Sequence, residues 1–206
     1  MTNTQRCIIF DLDGVIANTE PVVLQAYRTY LPEMTIDEHR ALYVGNAYEK
    51  TDEMVASGLF TREEFQDTYH KLYEEVEIFP HMKEILTSLS KKYKLAVNSS
   101  TNDHMIDHFL QKNGILDLFS AVHGSSKEHK KSVKIKYILE MFGVLPENAV
   151  FITDTTGDIN EGREAGVASI AVTWGYHDAP RLEEAKPFAL IGSLDELEAV
   201  IEHKFV

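Results

Sequence analysis

Two rhythms of apolar and polar residues run along the chain, and the change from one to the other divides it. It opens on Cys7-Ile8-Ile9-Phe10, a short apolar run closed by Asp11-Leu12-Asp13-Gly14. That is the form of a buried strand of a parallel sheet ending in a turn. From about 18 to 78 no strand pattern occurs. Asn18-Thr19-Glu20-Pro21 is a helix start with Pro in its first turn, and Val22, Val23, Ala26, Tyr27, Tyr30 and Leu31 follow at helical spacing until Pro32. Residues 35–44, 48–57 and 61–76 are expected as three more helices, separated at Gly45-Asn46 and at Gly58. Thr61 and Glu64 fit a capping box.

From Phe79-Pro80 onward helix and strand alternate. Met82, Ile85, Leu86 and Leu89 mark one helix face; residues 94–98 form a strand that runs into Ser99-Ser100-Thr101, which follows it and opens the next helix. Met105, Ile106, Phe109 and Leu110 carry that helix, closed by Asn113-Gly114. Strands are expected at 119–122, 149–152, 168–172 and 188–191. Between and after them lie helices at Ile135 to Phe142, ended by Gly143, at 157–166, and through Leu194, Leu197, Val200 and Ile201. Single helices between strands require right-handed crossovers. The pattern predicts an α/β fold, a Rossmann-like, doubly wound, mostly parallel sheet, with residues 1–17 and 79–206 as its core and 18–78 as an inserted helical domain.

Composition narrows the function. At 206 residues the chain can bury a full core. A net charge of −13 argues against nucleic acid or an anionic membrane as partner, since both are polyanions. An anionic substrate would then need local positive charge or a metal. Cys7 is the single cysteine and sits in the first apolar run, so no disulfide framework exists and a reducing, cytoplasmic setting is expected. No apolar run is long enough for a signal peptide or a membrane span.

The chemistry gathers at strand ends, where open α/β sheets bind their ligands. Asp11 and Asp13 form a carboxylate pair suited to a hard cation such as Mg²⁺ or to nucleophilic attack, though an Asp-rich turn or helix cap has the same look. Ser99, Ser100 and Thr101 offer hydroxyls and N–H groups for a phosphate, or plain helix capping. The lysines at 127, 130, 131, 134 and 136 stand out in an acidic chain; most are expected on the surface, with one placed to neutralise a phosphoryl group. Thr153-Asp154-Thr155-Thr156-Gly157-Asp158 sets two acids four apart. Asp154 can face Asp11 across adjacent strands, and Asp158 can hold a metal-bound water or orient the lysine. His104 and His108 have the spacing of a zinc pair, but Met105 stands where such motifs carry Glu and no third ligand is evident. An exposed helix face accounts for both. Trp174 to His177 follows the fifth strand, as a cleft rim or as packing.

Taken in order, Asp11-Leu12-Asp13-Gly14-Val15, the strand-terminal Ser99, a helix-leading lysine and Asp154 with Asp158 resemble the four motifs of the haloacid dehalogenase-like superfamily, over nearly the whole chain. The helical insertion after the first motif resembles the cap of the subfamily that includes phosphoglycolate phosphatases and β-phosphoglucomutases. The resemblance implies Asp11 as the nucleophile that forms an aspartyl phosphate. It implies Asp13 as the general acid/base, with its backbone carbonyl on Mg²⁺, and Ser99 with Ser100 and Lys131 as phosphate-binding groups. Asp154 would be a metal ligand and Asp158 its acidic companion. Lys131 is chosen by its spacing to the apolar stripe, with Lys130 and Lys134 also open. The chain departs from the family's usual residues at Thr153, where Gly is frequent, at Asn18, where an acid is common, and at Ser132, where Pro often follows the lysine. Asp13 argues against a dehalogenase, and Asp158 favours the phosphatases. The implied function is a Mg²⁺-dependent phosphatase acting on a small phosphorylated metabolite. The alternatives are a phosphosugar mutase of the β-phosphoglucomutase type and a non-catalytic phospho-ligand-binding protein. The insertion's hinges would lie near 16–19 and 78–81, with the Gly45-Asn46 loop facing the site.

Overall fold

A computed structural model gives the fold and describes residues 5–44, 47–126, 128 and 130–206, with backbone alone at 47–49. The Gly45-Asn46 loop and Lys127 lie outside the described residues. Six strands form one sheet: β1 (Cys7–Phe10), β2 (Lys94–Asn98), β3 (Ala121–His123), β4 (Ala149–Thr153), β5 (Ala168–Val172) and β6 (Ala189–Ile191). Their spatial order is β3-β2-β1-β4-β5-β6, and all five pairings are parallel. The first strand therefore sits between β2 and β4, where the order reverses, and its carboxyl end faces the crevice in which such sheets bind ligands.

Alternation along β1 explains why helices cover both faces. Ile8 and Phe10 pack with Met82, Leu86 and Leu89 of α5 (Met82–Ser90), with Ile106 and Phe109 of α6 (Asp103–Lys112), and with α10 (Leu197–Lys204). Cys7 and Ile9 point the other way, onto Ile135, Ile138 and Leu139 of α7 (Lys131–Phe142). There Cys7 behaves as a small hydrophobe, its thiol pushed up to about 12 by burial. On the same side Ile159 of α8 (Thr156–Glu164) meets Leu182 of α9 (Ala179–Glu184). A strand buried on both faces reads as continuously apolar, as this one does.

The inserted segment carries α1 (Glu20–Arg28), α2 (Ile36–Ala41), α3 (Ala47–Ala56) and α4 (Arg62–Tyr73). Val23, Leu24, Tyr27, Met34, Leu42 and Phe60 form an apolar cluster of their own there. Thr61 and Glu64 form the reciprocal capping box at the start of α4, and Thr35 and Glu38 form a second on α2. The two chain crossings lie side by side: Phe79 N donates to Ile16 O at 3.0 Å and Asn18 N to Glu77 O at 2.9 Å.

Several boundaries and one helix differ from the sequence expectation. Helix α1 ends at Arg28 in a turn rather than reaching Leu31. Helix α4 stops at Tyr73 rather than Val76. Strand β3 starts at Ala121, since Phe119 N donates to Leu116 O and closes the short turn before it; the Phe119 ring stands edge-on to Phe10, centroids 6.5 Å apart. Helix α9 was not expected; its six residues bury only Leu182, too little to leave a periodic signal.

Candidate active site

The carboxyl ends of β1 and β4 bring three acids together. Single oxygens of Asp11, Asp154 and Asp158 all lie within 4.8 Å of one another, and all three residues are buried. Lys131, in the first turn of α7, reaches across them: its Nζ donates to Asp11 Oδ2 at 2.6 Å and to Asp158 Oδ2 at 2.7 Å. Thr153, at the end of β4, adds a hydroxyl to the same Asp158 oxygen at 2.9 Å. A glycine in its place could not. Ser132 likewise uses a group that proline lacks, its backbone N–H donating to Glu161 at 2.7 Å and tying α7 to α8.

Burial governs the charge states. It pushes the Asp11 carboxyl well above the ordinary carboxylate range, with the Lys131 ammonium pulling the other way. It also pushes Asp154 up to about 8. Asp158 is equally buried, but Lys131, Asp11 and Thr153 together hold it below its usual value. Against the cost of its own burial, Lys131 is kept charged by Asp11 and Asp158. One cation thus serves two carboxylates, while Asp154 has no ion-pair partner among the described residues. Its Oδ2 accepts from Tyr176 N at 2.7 Å, and its buried Oδ1 has no hydrogen-bond partner among the described residues. An oxygen donor set of this kind, with a buried oxygen left over, fits a hard divalent cation. Gly14 and Gly175 flank this carboxylate so closely that a Cβ on either would overlap it. Gly14 also takes a φ of +73°, which favours glycine.

Asp13 turns to a different set of partners. Its Oδ2 accepts from Ser99 Oγ at 2.8 Å and from Thr101 Oγ1 at 2.9 Å. Ser99 Oγ in turn accepts from Thr101 N. Residues 99–101 do not open the helix: α6 starts at Asp103, and Asn102 caps it by accepting from His104 N. Ser99 is fully buried, so Ser100 and Thr101 are the members of that trio that border the open cavity. Lys130 is exposed just before α7. Lys134, one turn after Lys131, is buried and donates to Ser99 O at 2.6 Å and Gly124 O at 3.1 Å, which braces the loop carrying Ser99. Burial, then the charge of Lys131, lowers its pKa to about 8. His104 and His108 are exposed on α6, and the His108 ring pairs with Glu74.

Three strand-end residues take roles beyond the phosphate cradle or cleft rim expected of their stretches. Thr101 holds Asp13, the backbone of Tyr176 holds Asp154, and Gly175 makes room for that carboxylate. The loop after β5 also reaches the inserted helices. His177 Nδ1 accepts from Thr156 N, and its Nε2 lies 3.0 Å from Arg40 O. Above the acids opens a cavity of about 540 Å³, walled on its far side by the inserted segment. Among the described residues, no helix is long and apolar enough to cross a membrane.

Comparison with known proteins gives a consistent picture. A family model for haloacid dehalogenase-like hydrolases matches residues 8–172. A phosphoglycolate phosphatase of Synechococcus elongatus is 26% identical, aligned over 96% of this chain and 98% of its own length. The pyrophosphatase PpaX of Bacillus cereus is 25% identical over 95% and 96%. Among solved structures, a haloacid dehalogenase-like family hydrolase from Streptococcus pneumoniae superposes with a TM-score of 0.82 at 22% identity, covering 97% of this chain and 99% of that one. The last of these is a likeness of fold.

Proposed function

The chain belongs to the haloacid dehalogenase-like hydrolase family, and from that premise we propose that it is a Mg²⁺-dependent phosphatase that hydrolyses a small phosphate monoester through an aspartyl phosphate on Asp11. The observation that carries this reading is the doubly bonded Lys131 beside Asp11, within a buried carboxylate cluster that has an oxygen to spare. Asp11 and Asp154 would hold the cation together with the backbone of Asp13, and Asp158 would keep Lys131 in place. When bound, the ion supplies positive charge that lets a phosphoryl group approach a carboxylate. Asp11 attacks phosphorus through a carboxylate oxygen, forming a new O–P bond as the bond to the alcohol oxygen breaks. Asp13 gives its proton to that departing oxygen, then takes one from the water that attacks the aspartyl phosphate. Its hydrogen bonds from Ser99 and Thr101 fix the direction of that transfer. Lys131 neutralises the transferring group, and Ser100 and Thr101 face it from the cavity wall.

Residues 18–78 act in this reading as a cap that excludes water during the first step, hinged at 16–19 and 78–81. The paired crossings at Ile16/Phe79 and Asn18/Glu77 support that, as does the separate apolar cluster of the segment. Names of relatives, a phosphoglycolate phosphatase and a pyrophosphatase, support a small phosphorylated substrate. Cys7, buried and free, suits a reducing compartment such as the cytoplasm. The test is phosphate release from a panel of phosphate monoesters, with Mg²⁺ and with chelator, for wild type and Asp11→Asn. Mg²⁺-dependent release that disappears in the variant is expected. Release that survives Asp11→Asn would exclude the aspartyl phosphate.

A further inference from the structure

Phosphoryl transfer, in the reading above, uses the acids, Lys131, Ser100 and Thr101 on the sheet side of the cavity. The wall formed by the inserted segment has a composition of its own. Arg62, Gln66 and His70 recur every four residues on α4, and all three border the cavity, so they form one polar stripe along it. Thr51 and Asp52 of α3 border it too, and Asp52 is ion-paired to Arg62. Aromatic rings lie beside the stripe. Tyr27 tilts against Phe65 with centroids 4.6 Å apart, and its hydroxyl is 2.9 Å from that of Thr51.

We propose that this wall binds the leaving group, and that the leaving group is polyhydroxylated: the substrate is a sugar or polyol monophosphate and not a small acid with a second negative charge. The proposal rests on the phosphatase reading above and narrows it. Three observations carry it. Donors and acceptors interleave on the wall, with Arg62 donating only, Asp52 accepting only, and Gln66 and Thr51 doing both. Hydroxyl groups, which also do both, find a partner at each position, while the rings offer an apolar face to the C–H groups between them. Charge points the same way. The described lining holds six carboxylates and two fixed cations, Lys131 and Arg62. Both cations are already committed, Lys131 to Asp11 and Asp158 and Arg62 to Asp52. A second anionic group would meet no uncommitted fixed cation among the described residues. Size agrees: about 540 Å³ lies within the roughly 300–1,000 Å³ that takes in whole organic ligands, and a two-carbon acid would leave most of it to water.

The experiment measures kcat/KM for Mg²⁺-dependent phosphate release by the full chain. Its probes are monophosphates of glucose, ribose and sorbitol, set against phosphoglycolate and pyrophosphate. In parallel, Asp11→Asn is titrated with the same compounds by calorimetry in saturating Mg²⁺. At least one sugar or polyol phosphate is expected to exceed both reference compounds by about tenfold, and Gln66→Leu to lower that ratio about tenfold, chiefly through KM. If phosphoglycolate or pyrophosphate reacts and binds best, the substrate class is overturned and the phosphatase reading stands. If no compound is hydrolysed while Asp11→Asn still prefers the sugar and polyol phosphates, the phosphatase reading falls and the recognition inference survives. Absence of both activity and preference overturns the inference.

Discussion

His39 reports how tightly the inserted helices seat on the sheet. Its side chain is fully buried, and neither ring nitrogen has a hydrogen-bond partner among the described residues. The ring lies 5.6 Å from Tyr27 and 5.3 Å from Tyr43 of its own segment, and 5.5 Å from Tyr176 of the loop after β5. Burial, aided by the charges of Arg40 and Arg28, lowers its pKa from 6.5 to about 4. As pH falls, the unfolded chain takes up this proton first, so stability is intact above 6.5 and is lost as pH falls from 6.5 towards 4. Linkage puts the loss at about 2.5 kcal/mol by pH ~4.5, from 1.36 kcal/mol per pKa unit. His39→Leu removes both the titration and two unsatisfied polar atoms. It should be no less stable than wild type near neutral pH and gain about 2.5 kcal/mol relative to it at pH ~4.5. Urea unfolding of both proteins at the two pH values gives this difference, and carboxylates common to both cancel from it. A difference that stays the same at both pH values refutes the argument, because the folded protein would then protonate the imidazole as readily as the unfolded chain does.

Two further substitutions probe the site from its supports. Gly175→Ala places a methyl group where the Asp154 carboxylate stands and should weaken Mg²⁺ binding roughly 10- to 100-fold, seen by calorimetric titration of the ion as well as in activity. Unchanged affinity would remove Asp154 from the ligand set. Thr153→Val keeps the shape of the side chain but takes a donor from Asp158 Oδ2. It should lower kcat about tenfold with little effect on KM, and Thr153→Ser should restore it. If Val and Ser variants behave alike, Thr153 is packing only.

Much of the molecule was legible locally. The apolar run of β1 ends at Asp11 because a strand buried on both faces tolerates a carboxylate only where it leaves the sheet. The stop at Gly143 and the capping box of Thr61 and Glu64 depend on residues within one turn, so they survive any tertiary arrangement. Alternating strands and helices then leave few topologies open, and the acids at the ends of β1 and β4 become neighbours once those strands pair.

Tertiary structure alone decided the rest. Lys130, Lys131 and Lys134 are alike in sequence and differ in place, Lys130 just before α7 and the other two one turn apart on it. Only the seating of α7 on the sheet sends Lys131 to Asp11 and turns Lys134 to the carbonyls of Ser99 and Gly124. Thr101 meets Asp13, and Gly175 makes way for Asp154, across 88 and 21 residues of chain respectively, and no local period encodes either contact. Sequence reaches as far as one helical turn or one strand alternation; which side chains then share a space is set by how the layers pack.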